Sequence, residues 1–492
     1  MLARLNMTTM HRTSRGTRSA NGVSRRGFLG TGLALAGARL LPGCGAGRAR
    51  FEVPLPIPPV LEPVMSTADA DHYELTMMKG SAQILDGPAT EIWGYNGVWP
   101  GPTIRARSGR TAVVRHTNRL PDQMSVHLHG ASTPPDSDGH PNDFFQPGET
   151  RDYVYPNQME AAPLWYHDHV IDRTGHHVAH GLAGFYLVGD EFEDSLDLPS
   201  ADHEIPLIFQ DRRLDHDNQI IYRIDQRTRN VGYRGDLLCV NGAVFPYLEV
   251  ANVRYRFRLL NGSNARQYRF ALDSGEPLLV IGSDGGLLPE PVPVRGLEIF
   301  PGNRYDVIID FSRYPVGSSV TLKNIFNPEV DPIFDDVMRF DIVRSESDQF
   351  DVPDVLRPME RLEPAAVAQV RSFEVRADDA VTWTINGLHF DGARVDARPV
   401  IDTTEIWEFD KPGAPGFHPM HVHLVQFQIL DFNGEPPPRH MRGWMDTVPS
   451  VQGKTRIIAR FSDHLGLYMF HCHILEHEDH HMMAQFEVVP EP

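Results

Sequence analysis

The sequence predicts an all-β chain of three consecutive β-sandwich domains behind a basic leader, and three observations carry that expectation. First, 492 residues exceed what one sheet-based core can fill, so two or three domains are expected. Second, 40 Pro and 41 Gly punctuate short apolar runs, which favours turns joining strands over long helices. Third, strict alternation recurs. In 254–259, Tyr255, Phe257 and Leu259 share one face while Arg254, Arg256 and Arg258 take the other, as a half-buried antiparallel strand requires.

The first fifty residues form a leader outside the fold. Residues 24–29 read SRRGFL, after a basic stretch and before the apolar run 29–41, the pattern of a twin-arginine export signal. That run is shorter than the ~20 residues a membrane-spanning helix needs. Export would place the protein in the periplasm or outside the cell, and this route carries proteins already folded around a cofactor, which points to a metal. Leu41-Pro42-Gly43-Cys44 also resembles a lipoprotein cleavage box. Two outcomes stay open: a lipid anchor at Cys44, or simple cleavage within 43–50.

Residues 51–66 begin with a proline-rich strap, expected to run extended over the surface. Further strands are expected at 111–118, 405–409 and 455–461, and along Tyr305, Val307, Ile309 and Phe311. Acidic or proline-containing connectors at 191–203 and 345–364 divide the rest into 67–192, 193–350 and 351–492, each the size of one β-sandwich.

Composition narrows the chemistry. Hydrophobic residues at 41% and charged residues at 23% describe an ordinary globular protein. The net charge is −19; residues 1–44 hold seven Arg and no acid, so the remainder carries −26. Nucleic acid is therefore excluded as a natural partner, and neutral or cationic small donors are favoured at encounter. Of the three cysteines, Cys44 lies in the leader and Cys472 between two histidines; Cys239 is expected to be a small buried side chain.

Four His-x-His pairs stand out: His127/His129, His167/His169, His421/His423 and His471/His473. On a strand, residues i and i+2 project to one side about 6.6 Å apart, so each pair is a two-pronged ligand for one metal or two neighbouring ones. Two pairs fall in the first block and two in the last, so convergence would put the site between the first and third domains. Eight imidazoles suit copper; two on one ion and three on each of two others would use them all.

The last segment reads HCHILEHEDHHMM. On its strand Cys472 must point away from His471 and His473, so its thiolate serves a different metal one peptide unit away, a through-bond route for electrons. His418, His477 and Met482 are the remaining candidates for a His₂Cys copper with a weak axial Met; Met483 competes with Met482 for that place.

The strings HLHG, WYHDH, HPMHVH and HCHILEHEDHHMM, spanning 125–483, resemble in order the four copper signatures of multicopper oxidases. With HLHGASTPPDSDGHP, IWGYNGVWPGPTI and IGSDGGLLP, the chain is similar to bacterial spore-coat laccases and their bilirubin-oxidase relatives from about residue 54 to 489. The resemblance implies three cupredoxin-like Greek-key domains, four coppers, and oxidation of an organic or metal-ion donor with dioxygen reduced to water. By position, His418, Cys472, His477 and Met482 match the type 1 ligands, and His127 and His421 those of type 2. His129, His167, His169, His423, His471 and His473 match the type 3 pair; Asp138 and Glu478 match the proton-delivering acids. Donor oxidation is expected at exposed ring edges of His418 or His477. The leader is unlike a spore-coat protein, and no methionine-rich insertion of the copper-tolerance type is present. A cuprous oxidase and a copper-free envelope scaffold are the rival readings. His176, His177 and His180 have no counterpart and are expected on an exposed loop or helical face, with an accessory copper site as the alternative.

Overall fold

A computed structural model describes residues 50–326, 335–377, 382–413 and 416–492; the expected export signal and Cys44 lie outside the described residues. Residues 51–63 run mostly exposed and without regular structure. Proline offers no N–H to a ladder, so the strap donates from its other residues, as Leu55 N–H does to Tyr247 O at 2.7 Å and Leu61 N–H to Thr103 O at 2.8 Å, while its carbonyls accept, Pro59 O from Thr103 N–H at 2.8 Å and Val53 O from Tyr247 N–H at 2.9 Å.

Three pairs of sheets follow, all built from short strands, and no helix among the described residues exceeds the seven residues of Thr174–His180. In the first pair, a five-stranded sheet around Ala70–Ala82 and Thr111–Asn118 faces a four-stranded sheet ordered Gly101–Arg107, Ala183–Gly189, Ala162–Asp168, Val126–His129. Ala70–Ala82 pairs parallel with Thr111–Asn118 and Gly101–Arg107 parallel with Ala183–Gly189, pairings that need crossovers and exclude a simple meander. Tyr73, Val114, Leu128, Leu164 and Tyr186 fill the space between. The middle pair has seven and five strands around Phe209, Phe257, Phe270 and Phe340. In the last, a five-stranded sheet packs on a four-stranded one ordered Thr447–Ser450, His418–Val422, Gly466–Cys472, Met483–Val488; Phe373, Trp407, Phe427, Phe470 and Phe486 form its core.

The predicted strands are present as Thr111–Asn118, Arg254–Asn261, Arg304–Asp310, Thr403–Lys411 and Gly453–Phe461. One detail differs. Arg256 and Arg258 are not on a solvated face: both are buried and ion-paired. Arg256 Nε donates to Asp306 Oδ2 at 2.9 Å, Arg258 Nε to Glu204 Oε1 at 2.7 Å, and both guanidinium groups reach Glu193. Alternation reads polarity by face and is blind to whether that face meets water or a buried carboxylate. Cys239 is wholly buried, beside Ile84, Trp99 and Val244.

Candidate metal centre

Sheet register brings the histidine pairs together. In the first domain Val126–His129 pairs antiparallel with Ala162–Asp168, setting His127 opposite His167. In the third, His421 stands opposite His471 and Met420 opposite Cys472. His127 and His129 share one strand, whereas His169, His423 and His473 lie just beyond the ends of theirs. The members of three pairs go to different groups, while His421 and His423 share one and His423 also joins a second.

Four buried groups result, with candidate ligand atoms within 4.8 Å of one another: His127, His421 and His423; His129, His167 and His473; His169, His423 and His471; and His418, Cys472 and His477. Every predicted histidine and the cysteine are in one of them. Met482 is wholly buried in the same core cluster as Cys472 and Met420, while Met483 packs with Phe390 and Met469 in another.

The hydrogen bonds fix which ring nitrogens are free. A carbonyl oxygen only accepts, so the imidazole nitrogen against it must carry the proton. His127 Nδ1–H donates to Asp138 O at 2.6 Å and His421 Nδ1–H to Asp446 O at 2.9 Å. Their Nε2 atoms, left as lone pairs in neutral rings, face each other at 3.3 Å. His471 Nδ1–H donates to Cys472 O, and its Nε2 lies 3.1 Å from His169 Nε2 and 3.2 Å from His423 Nε2. In the other group, His167 Nδ1–H donates to Asp168 O at 2.8 Å and His129 holds Asp446 Oδ1 and Thr447 Oγ1 through Nε2 at 2.9 and 3.1 Å. His167 Nε2, His129 Nδ1 and both nitrogens of His473 are buried with no partner. Lone pairs turned on one another in a dry pocket are repulsive unless a cation sits among them, so the donor set fits metal ions.

Protonation does not offer an alternative. Burial holds His167 near 3, His169 near 4 and His477 near 3, and drives His127, His129, His421, His423, His418 and His473 well below the ordinary imidazole range. All therefore present neutral ligating rings at neutral pH.

The cysteine group has its own geometry. Cys472 Sγ lies 3.4 Å from His418 Nδ1 and 3.6 Å from His477 Nδ1, and those nitrogens are 3.3 Å apart. His477 Nε2–H donates to Asn230 O, so its Nδ1 is the free atom. Burial pushes the Cys472 thiol well up, so a thiolate here requires a cation beside it. Contrary to expectation, neither His418 nor His477 shows an exposed ring edge: both are 2% exposed. Trp383 lies across His418 with ring centroids 4.2 Å apart, and its Nε1–H shares the Asn230 carbonyl with His477. A donor must work through that cover.

Both predicted acids are buried beside the histidines. Asp138 Oδ2 lies 2.7 Å from His423 Nδ1; burial pushes its carboxyl well above the usual range, which favours its protonated form. Gly139 (φ +78°) makes that turn possible, since a side chain there would meet Val126 O at 2.2 Å. Glu478 lies 3.3 Å from both His169 Nδ1 and His471 Nδ1; burial raises its carboxyl, and the two imidazoles outweigh that and hold it below the ordinary glutamate range.

Several residues of the site carry no signal in the sequence. Asp446 accepts from His129, and Arg304 donates to both its carboxylate oxygens, at 2.8 and 2.5 Å. Trp165 stacks on His167 at 4.2 Å. Expectation also fails at His176, His177 and His180: they lie on helix Thr174–His180 with His177 fully buried and the other two partly so. Packing of this helix against Trp93 and Tyr222 covers what looked like a polar face.

The class defined by three β-sandwiches and these groups agrees with comparison to known proteins. Sequence models for multicopper oxidases match residues 76–192, 226–339 and 362–492. A laccase of Bacillus stratosphericus is 36% identical, over 89% of this chain and 99% of its own. A bilirubin oxidase of Albifimbria verrucaria is 34% identical, over 90% and 82%. A cell division protein, FtsP, of Escherichia coli is 33% identical, over 96% and 100%. The crystal structure of a laccase from Pediococcus acidilactici superposes with a TM-score of 0.83 at 34% identity, covering 90% of this chain and 95% of that one. The chain belongs to the multicopper oxidase family, with three cupredoxin-type domains and buried histidine groups of the kind that hold copper in that family.

Proposed function

We propose that this protein is a laccase-like oxidase that takes four single electrons from a phenolic or similar aromatic donor and reduces dioxygen to two waters. The observation that carries this reading is the buried His127 and His421 lone pairs facing each other at 3.3 Å, which call for a cation between them, with further ring nitrogens 3.1 and 3.2 Å apart around His471 and a separate His₂Cys group beside them. His418, Cys472 and His477, with Met482 buried in the same core cluster, would hold a type 1 copper. His127 and His421 would hold a type 2 copper, and His129, His167 and His473, with His169, His423 and His471, a type 3 pair: four coppers per chain. Copper bound there supplies one-electron acceptance at the thiolate and multi-electron reduction of dioxygen at the cluster.

The chain's own residues do the rest. Cys472, between His471 and His473, gives a covalent path from one centre to the other. Trp383 screens His418 from water and sets how closely a donor approaches. Asp138, whose protonated form burial favours, is placed to give up a proton one hydrogen bond from His423; Glu478, held ionised between His169 and His471, is suited to receive protons and pass them on. Asp446 holds the tautomer of His129, fixing which ring nitrogen is free. Export through the twin-arginine leader is part of the same reading.

A second reading, a bilirubin oxidase-like donor preference, is supported by the 34% identical relative of that name. Copper analysis with a visible spectrum, then steady-state rates on a phenol, bilirubin and Cu(I) in parallel, tests both. Four coppers, a blue band and a preference for the phenol are expected. Cys472→Ser should lose colour and turnover together; a variant that stays blue refutes the ligand assignment, and a strong preference for Cu(I) refutes the donor class.

A further inference from the structure

We propose that Asp122, His176 and His177 form a separate binding site for one divalent transition-metal ion, tying helix Thr174–His180 to the loop after strand Thr111–Asn118. Their candidate ligand atoms lie within 4.8 Å of one another, and none of the three belongs to the four groups above.

His177 is set up as a ligand. Its Nδ1 lies 2.7 Å from Asp168 Oδ2, and that carboxylate is itself anchored by the backbone N–H groups of Ser125 at 3.1 Å and Val170 at 3.2 Å. Asp168 thus accepts from His177 Nδ1–H and turns Nε2 outward, the carboxylate–imidazole pairing that orients metal-bound histidines. Nε2 faces Asp122 Oδ2 at 3.4 Å. A charge-assisted hydrogen bond between imidazolium and carboxylate would close to about 2.7–2.9 Å. Two ligand atoms on one tetrahedral ion, with bonds of about 2.0–2.1 Å, stand roughly 3.3–3.4 Å apart. The spacing matches the second case, and it is close to that between facing nitrogens in the main centre.

His176 supplies the third ligand. Its Nδ1 is buried without a hydrogen-bond partner, an arrangement that costs free energy unless something else uses the lone pair. The ring is held by Trp93 at 5.2 Å, His180 at 4.2 Å and Tyr222 at 5.5 Å between centroids. Asp122 is 30% exposed and borders a surface cleft with Gln123 and Arg173, which gives an ion a way in and leaves a coordination position open to solvent. Two imidazoles with one carboxylate select a borderline ion of the Zn(II) or Cu(II) kind over a hard ion such as Mg(II) or a soft one such as Cu(I). The competing arrangement is a protonated His177 bridging the carboxylates of Asp122 and Asp168 with no ion.

Zn(II) separates the two. The copper-replete protein, titrated calorimetrically with Zn(II), should take up one equivalent with its copper content and visible spectrum unchanged. X-ray absorption at the zinc edge, which does not see copper, should show two imidazoles and oxygen. Asp122→Asn and His176→Ala, judged folded by retained copper, should each weaken Zn(II) binding at least about tenfold. No uptake by the wild type, a zinc shell without imidazole, or undiminished uptake in both folded variants overturns the proposal. Because copper is measured in the same samples, failure here is distinct from failure of the oxidase reading.

Discussion

Arg304 offers a direct test of how the candidate centre is held. It is wholly buried, rooted in the middle domain, and donates five hydrogen bonds at the junction of all three. Nε goes to Pro163 O at 2.8 Å, Nη1 to Gly302 O at 3.0 Å and Asp446 Oδ1 at 2.8 Å, and Nη2 to Asp284 O at 3.0 Å and Asp446 Oδ2 at 2.5 Å. Arg304→Met keeps the length and removes every donor. Breaking a buried ion pair from one side costs about 3–5 kcal/mol, because the remaining charge is left without compensation. Asp446 would keep Thr447 and Gln426, which places the loss toward the lower end. For a domain unfolding with a urea slope near 2 kcal/mol/M, a loss of ~3 kcal/mol moves the midpoint by about 1.5 M. Arg304→Lys, retaining charge without the planar fork, should fall between. Adding Asp446→Asn to Arg304→Met should recover about 1–2 kcal/mol, since the stranded charge is gone. The assay is urea unfolding followed by tryptophan fluorescence, with copper content before unfolding. Arg304→Met should also lose copper at the His129 group while the band from the Cys472 group persists. A midpoint within about 0.3 M of wild type, with full copper, would refute the clamp.

Three further outcomes follow from other parts of the structure. Burial raises the carboxyl of Glu204, but Arg258, Arg256 and Arg105 outweigh it and bring it to about 2 from 4.5; its contribution of ~3 kcal/mol is complete above pH 4.5 and lost as pH falls toward 2. Glu204→Gln should therefore flatten acid unfolding in that window, and an unchanged slope counts against the pairing. Gly302 has φ +85°, and a side chain there would stand 3.1 Å from the His473 ring and 3.2 Å from His129; Gly302→Ala should cost about 1–2 kcal/mol and lower copper content, read by thermal unfolding and metal analysis. Asp138→Asn should keep the blue colour and lower kcat by about 10²–10⁴-fold; full turnover would remove Asp138 from proton delivery.

What could be read from the sequence was what strand geometry encodes locally. The i, i+2 spacing of His127/His129, and the opposed facing of Cys472 between His471 and His473, follow from period-two alternation and need no knowledge of the rest of the chain. The ring-nitrogen choices do not follow. They depend on Asp446, which meets His129 from 317 positions away, and on Asn230, which meets His477 from 247; neither stands in a pattern. The same blindness explains Arg256 and Arg258, whose partners Glu193, Glu204 and Asp306 make a polar face into part of the interior. It also explains helix Thr174–His180, whose histidines look surplus until Asp122, Asp168 and Trp93 are folded against them.

The middle domain contributes none of the candidate ligands, yet its residues brace both centres. On one side, Gly302 backs onto the rings of His473 and His129, Asn303 Nδ2–H donates to Thr447 O at 2.9 Å, and Arg304 grips Asp446. On the other, Asn264 accepts the Leu475 N–H at 3.0 Å and donates to Glu476 Oε1 at 2.8 Å, while Tyr233 N–H donates to Glu476 Oε2 at 2.7 Å. These contacts hold helix Leu475–Asp479, which carries both His477 and Glu478. Apart from Tyr233, the two sides arise from one stretch, 261–304, so a shift of the middle domain would move both centres together. Only the hinge between first and third domains would then alter the histidine groups shared across them. Arg304 spans that hinge, bonding Pro163 of one and Asp446 of the other, and a loose middle domain would cost the shared groups their ions before it cost the Cys472 group its own.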